Sequence, residues 1–158
     1  MFMKSIQSLC LIQSILMKTD LSNATFIIPI RIESDDRLRN VVTSIAFLVE
    51  NFDTNIIVKE VDKESVFQTE VLPIFEEILE VDLWKNFHHI FERSEEPLFH
   101  RQRVLNEMIA ECETDIVVNY DCDVILPMKS YELAYNGITE GIYDVVYPYG
   151  SGMYQKQV

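Results

Sequence analysis

The sequence predicts an α/β domain whose mostly parallel sheet carries helices on both faces. Three observations lead there. Short, β-branched apolar runs alternate with stretches of helical periodicity, and that order implies crossover connections between parallel strands. The first run, Ala24–Ile30 (ATFIIPI), is apolar from end to end, as expected of a strand buried on both faces. The chain has 158 residues, 48 % of them hydrophobic, with four Gly and five Pro, which is enough for one real core and excludes a disordered or low-complexity chain.

The elements follow in order. After the first strand, Leu38, Val41, Val42, Ile45, Leu48, Val49 and Phe52 recur at spacings of three and four. Ser34 suits the cap of that helix, and Asp35 and Asp36 suit its positive end. Asn55–Val61 reads as a second strand. Val66–Val81 reads as a helical stretch that Pro73 breaks or starts, and Phe87–Phe91 as a third strand. Val104, Leu105, Met108 and Ile109 mark a helix from about Pro97 to Cys112. Thr114–Tyr120 (TDIVVNY) is the clearest strand of all, Tyr131–Thr139 a short helix, and Asp144–Tyr147 (DVVY) a last strand. Ahead of this, Ile6, Leu9, Cys10, Gln13, Leu16 and Met17 form a mostly apolar stripe. Residues 1–23 are therefore expected to be a helical extension, packed on the domain or on a partner chain, and residues 24–158 the domain proper.

Charge narrows the function classes. Twenty-six acids against thirteen bases give a net charge of −13, a field that repels nucleic acid and anionic lipid. No apolar run approaches the ~20 residues that span a bilayer. Three dispersed cysteines without a C-x-x-C pair argue against a zinc site or disulfide framework, and predict a reducing, cytoplasmic compartment.

In an open parallel sheet, ligands bind beyond the carboxyl ends of the strands. Polar residues gather there: Arg31 and Glu33 after the first strand, Glu60 and Asp62 closing the second, Glu92 and Arg93 the third, and Asp121-Cys122-Asp123 the strongest. Two carboxylates at i and i+2 on an extended segment project to one side, and hard oxygen ligands suit Mg²⁺ or Mn²⁺ shared with a phosphate. With ten Asp, about 0.6 chance occurrences of D-x-D are expected, so the position after an apolar strand carries the weight. His88-His89 would point to opposite faces and cannot chelate together. The tyrosines from Tyr131 to Tyr154 read first as core and interface packing, with a stacking surface as the alternative. The sequence has no G-x-S-x-G, Walker A or G-x-G-x-x-G motif, which argues against a hydrolase elbow, a P-loop enzyme and a dinucleotide-binding domain. A phosphoacceptor receiver needs an Asp ending the third strand and a Lys after a later one, and neither is there.

Four blocks now stand in order: ATFIIPIRIESDDRLRNV, NIIVKEVD, FHRQRVLNEMIAECETDIVVNYDCDVILP and DVVYPYGSGMY. Together they resemble the nucleotide-sugar-binding part of GT-A glycosyltransferases, nearest to glycosyltransferase family 2 and the galactosyltransferase-like, capsule-biosynthesis branch. The resemblance spans residues 24–152 and rests on the PIR-x-E block, the R-x-x-x-LN helix and the strand ending in D-x-D. It implies that Pro29, Ile30, Arg31 and Glu33 contact the nucleotide and that Glu60, with Asp62 nearby, meets the base. Arg101 or Arg103 and Asn106 would lie near the diphosphate or sugar. Asp121 would face the ribose and the metal, and Asp123 would ligate Mn²⁺ or Mg²⁺ directly. The function implied is transfer of a hexose from a UDP-sugar to a glycan acceptor. Enzymes of this kind continue into an acceptor-binding segment that carries the base. That segment is expected to be missing here, so no base is named and weak or no turnover is expected. The alternative is a non-enzymatic GT-A-like interaction or dimerisation module, homo-oligomeric through residues 1–22.

Overall fold

A computed structural model describes residues 18–78 and 85–148. Its elements run β1 (Thr19–Ile30), α1 (Asp35–Asn51), β2 (Phe52–Asp62), a π-helical turn (Phe67–Val71) leading into α2 (Leu72–Ile78), β3 (Phe87–Arg93), α3 (Arg101–Ala110), β4 (Ile116–Asn119) and α4 (Met128–Thr139). The four strands form one sheet in the order β3-β2-β1-β4, and every neighbouring pair is parallel. This is an α/β architecture compatible with a Rossmann-like fold. No helix among the described residues is long and apolar enough to cross a membrane.

Alternation along β1 sorts the core into two layers. Phe26, Ile28 and Ile30 point to the face covered by α1, α2 and α4, where they meet Val41, Ile45, Leu48, Phe67, Phe75 and Tyr131. Ile27 points to the other face, where Ile57, Val61, Val104, Leu105 and Met108 form a smaller cluster under α3. A strand buried on both faces is what the unbroken apolar run predicts.

Three expectations change. β1 starts at Thr19, so residues 19–23 belong to the sheet and not to a helical extension. Thr19 and Asp20 pair with Phe52 and Asp53 ahead of a bulge, and Leu21 is buried in the main core. The stripe from Ile6 to Met17 lies outside the described residues, as do Tyr149, Tyr154 and the end of the Val66–Val81 stretch. Second, the Val66–Val81 stretch opens on a π-helical turn, and Pro73 lies at the start of its α-helical part, in the first turn of α2. It sits just past the π-helical turn, where its missing N–H would otherwise seek a carbonyl one turn back. Third, Asp144–Tyr147 forms no strand. Its β-branched residues find no ladder partner among the described residues, and Val145 and Tyr147 are exposed. Gly141, at φ 68°, ends α4 in the left-handed conformation, and both Ile142 and Tyr143 donate their N–H to the Gly137 carbonyl. The Tyr143 ring then lies where a Cβ on Gly137 would come within 2.9 Å, so the chain is turned back onto α4.

The layer under α1 and α2 should dominate stability. Phe67→Ala, at a fully buried ring stacked on Phe87 and His89, is expected to cost about 4 kcal/mol in chemical denaturation. Leu133→Ala, on the exposed face of α4, is expected to stay within about 0.5 kcal/mol.

Candidate functional site

The strand order contains one reversal. From β1 the chain steps outward to β2 and β3, then returns to the other side of β1 as β4. At such a switch point the connections diverge and leave a crevice at the carboxyl ends of the strands. Pro29 widens it. Thr25 and Ile27 direct their backbone groups toward β4, and the Ile27 carbonyl takes the last bond, from the Tyr120 N–H at 3.1 Å. Period two turns Pro29 the same way, but β4 has already ended, and proline has no N–H to leave unpaired.

A cleft of about 350 Å³ opens there, lined by Pro29, Arg31, Glu33, Arg37, Phe99, Arg101, Asp121, Cys122 and Asp123. It falls at the small end of the ~300–1,000 Å³ typical of ligand sites. The start of α1 borders one side, capped by Ser34, whose hydroxyl accepts the Arg37 N–H at 3.3 Å. The start of α3 borders the other and carries no side-chain cap, so its amino-terminal dipole adds positive field beside Phe99 and Arg101.

The acidic loop is held from beneath. Asp121-Cys122-Asp123 is not the extended segment the i, i+2 pattern suggests. It forms a turn closed by the Val124 N–H on the Asp121 carbonyl at 3.2 Å. Ser44, buried in α1, donates its hydroxyl to the Cys122 carbonyl at 2.5 Å. The Tyr120 hydroxyl reaches the Val124 carbonyl and lies 3.1 Å from that of Tyr131, which also accepts the Leu126 N–H at 3.1 Å. Burial pushes the Cys122 thiol up, and the Asp123 carboxylate beside it acts in the same direction. The turn still brings both carboxylates to the cleft wall.

Inside the cleft, Arg101 pairs with the Asp121 carboxylate and places its Nη2 3.1 Å from Asn119 Oδ1. With Arg101 42 % and Asp121 55 % exposed, this pair contributes about 0–1 kcal/mol to stability. Arg31 behaves differently. It is 8 % exposed, and its guanidinium donates to the carbonyls of Val61, Pro97 and Glu96 at 2.9, 3.1 and 3.2 Å while lying over the Phe99 ring. Arg31 ties the ends of β1 and β2 to the loop before α3, and so forms the cleft floor with three of its five N–H donors engaged.

Several sequence-predicted residues lie elsewhere. Ile30 points into the main core. Asp62 accepts the Lys63 N–H at 2.7 Å and does not line the cleft. Arg103 joins Lys59, Glu92 and Glu107 in a charge network across β2, β3 and α3, with contacts of 2.5–3.2 Å. Asn106 accepts from Gln102 on the exposed side of α3. Glu60 departs furthest. It is 0 % exposed, with Oε1 accepting the N–H groups of Val66 and Phe67 at 2.9 and 3.1 Å and Oε2 accepting the Ser65 hydroxyl. His89 Nε2 lies 3.4 Å from Oε2. Even strand positions face the helical layer here, so the carboxylate caps the turn that starts at Ser65 and does not line the cleft. Sequence reasoning missed Arg37, Phe99 and Ser44. Arg37 had a signal, since it lies at the third helical position after a Ser cap. Ser44, a polar residue within the apolar stripe of α1, had a weaker one.

Among the described residues, no three His, Cys, Asp or Glu side chains gather as a metal site. Asp121 and Asp123 are two hard oxygen donors beside cationic groups, a set that fits a cation shared with a phosphate and not an all-protein cage. Neither the family models nor the curated proteins compared with this sequence match it.

The Glu60 cap makes stability pH-dependent. Burial alone would raise the carboxyl, but contacts from His89, Ser65 and the Phe67 N–H outweigh it and hold Glu60 below its ordinary 4.5. A depressed folded-state value stabilises above the unfolded value and is lost as pH falls through the folded one. Glu60→Gln, which turns an amide donor toward Ser65, is therefore expected to cost about 2 kcal/mol at pH 7. Denaturation titrations should show the gap to wild type closing as the pH is lowered from 5 to below 4.

Proposed function

We propose that this chain is the nucleotide-sugar- and divalent-cation-binding domain of a GT-A-type glycosyltransferase, with a UDP-hexose as donor and a glycan hydroxyl as acceptor. The observation that carries the reading is a convergence. Pro29, Arg31, Glu33, Arg101, Asp121 and Asp123, drawn from the PIR-x-E, R-x-x-x-LN and D-x-D blocks, all line one cleft at the switch point. Far apart in sequence, they share a wall because β1 and β4 are neighbours and α3 starts beside them.

The charges suit a nucleoside diphosphate. Arg37 and Arg101 supply donors for phosphate oxygens, the start of α3 adds its dipole, and the half-buried Phe99 adds an apolar group to the lining. Asp121 and Asp123 would hold Mn²⁺ or Mg²⁺; when bound, the cation offsets charge developing on the departing diphosphate. Ser44, Tyr120 and Tyr131 fix the loop that presents both carboxylates, so little reorganisation is needed on binding. Arg31, held by three carbonyls, shapes the floor, and the buried Glu60 stands outside the cleft lining.

A second reading, a GT-A-like interaction module without chemistry, has one observation in its favour. Ile142, Tyr143, Val145 and Tyr147 are more than half exposed in one short stretch.

Isothermal calorimetry separates the two. On the first reading UDP binds in a Mn²⁺-dependent manner, and Asp123→Asn weakens it at least tenfold with an unchanged denaturation midpoint. Absence of metal-dependent UDP binding, or unchanged binding in Asp123→Asn, contradicts it.

A further inference from the structure

Two opposite charges destined for different ligands are in contact in this cleft. Arg101 suits phosphate and Asp121 suits a cation, yet each occupies the other. The pairing is directed: Asn119 Oδ1, at the end of β4, takes the same Nη2 and aims the guanidinium along the loop toward Asp121. The other cleft cations are placed differently. Arg31 is committed to three backbone carbonyls, and Arg37 makes no ion pair among the described residues. With both partners about half exposed, the Arg101–Asp121 contact opens without unsealing any core.

We propose that Arg101 is an exchangeable latch on Asp121, which makes cation binding and diphosphate binding depend on one another. This inference rests on the nucleotide-sugar reading and goes beyond it. In the ligand-free cleft Arg101 neutralises Asp121. A divalent cation arriving alone must displace the guanidinium and leave it unpaired beside added positive charge. A diphosphate arriving alone draws Arg101 away and leaves Asp121 bare beside phosphate oxygens. Only when both arrive does Arg101 pass to phosphate while Asp121 passes to the cation, so that every charge is matched. Each ligand therefore tightens the other by the same factor, as linkage requires.

The test measures four affinities on the full chain by calorimetry: Mn²⁺ alone, UDP alone, and each with the other saturating. Free Mn²⁺ is counted independently by electron paramagnetic resonance. In wild type Mn²⁺ and UDP should each tighten the other, with the latch supplying up to about fivefold of that coupling. In Arg101→Gln, Mn²⁺ alone should bind up to about fivefold tighter, UDP alone should bind more weakly, and the coupling factor should fall by a comparable amount, to the part that direct cation–phosphate contact supplies. Asn119→Ala removes the acceptor that aims the latch. It should shift the Mn²⁺-alone affinity the same way by a smaller factor, and it decides the matter if Arg101→Gln does not fold. Unchanged or weaker Mn²⁺-alone binding in the folded variants, or coupling undiminished from wild type, overturns the latch while leaving the nucleotide-sugar reading intact. Failure of wild type to bind UDP and Mn²⁺ together overturns both.

Discussion

The site depends on one backbone event: β1 loses its β4 neighbour before it ends. Beyond Ile27 the side of β1 that faced β4 has no strand to bond, and Pro29 sits where an N–H would otherwise be left over. β2 continues to pair with β1 as far as Ile30 and Glu60, so the sheet stays rigid on one side while opening on the other. The chain after β4 is then free to turn, and Asp121 and Asp123 reach the crevice. A sheet fully paired to the ends of both strands would place the acidic loop beside a closed edge.

Around that opening the protein divides its charged residues into two kinds. Some are structural, tied to several protein partners. Arg31 joins three carbonyls, Glu60 caps a turn, and Arg103 sits among Glu92, Glu107 and Lys59. Others keep capacity for a ligand, namely Arg37, Arg101, Glu33, Asp121 and Asp123 on the cleft wall. Glu60 and Arg31 are set apart by burial, whereas the half-exposed Arg103 is set apart by its ion pairs to Glu92 and Glu107. A buried charge survives only with partners in place, so Glu60 and Arg31 are fixed, whereas the exposed Arg101–Asp121 pair trades partners at little cost.

Much of this was legible in the sequence, for identifiable reasons. The parallel α/β class followed from apolar runs without alternation, and the two-layer core bears that out through Phe26, Ile27 and Ile28. The placement of D-x-D after the strongest strand put Asp121 and Asp123 at the switch point. What failed to carry over was which way each neighbouring residue faced. Arg101 and Arg103 are two positions apart on a helix, so they point to different surroundings, one to the cleft and the other to the sheet. Glu60 lies at a strand end with the right chemistry, but its parity turns it toward Phe67. The DVVY stretch has strand propensity without a strand to join, and a Gly turn after α4 redirects the chain. Ser44 and the Tyr120–Tyr131 pair, which hold the acidic loop, are tertiary contacts that no local pattern announces.

The central claim is that Asp121 and Asp123 mark a shared cation–diphosphate site at the end of β4. Crystals grown with UDP and Mn²⁺, measured at the manganese absorption edge, test it most directly. The account predicts an anomalous peak within coordination distance of both carboxylates, about 2.0–2.3 Å, with the diphosphate completing the shell and Arg101 turned away from Asp121. A peak elsewhere, or UDP seated without contact to the Asp121–Asp123 loop, would contradict it.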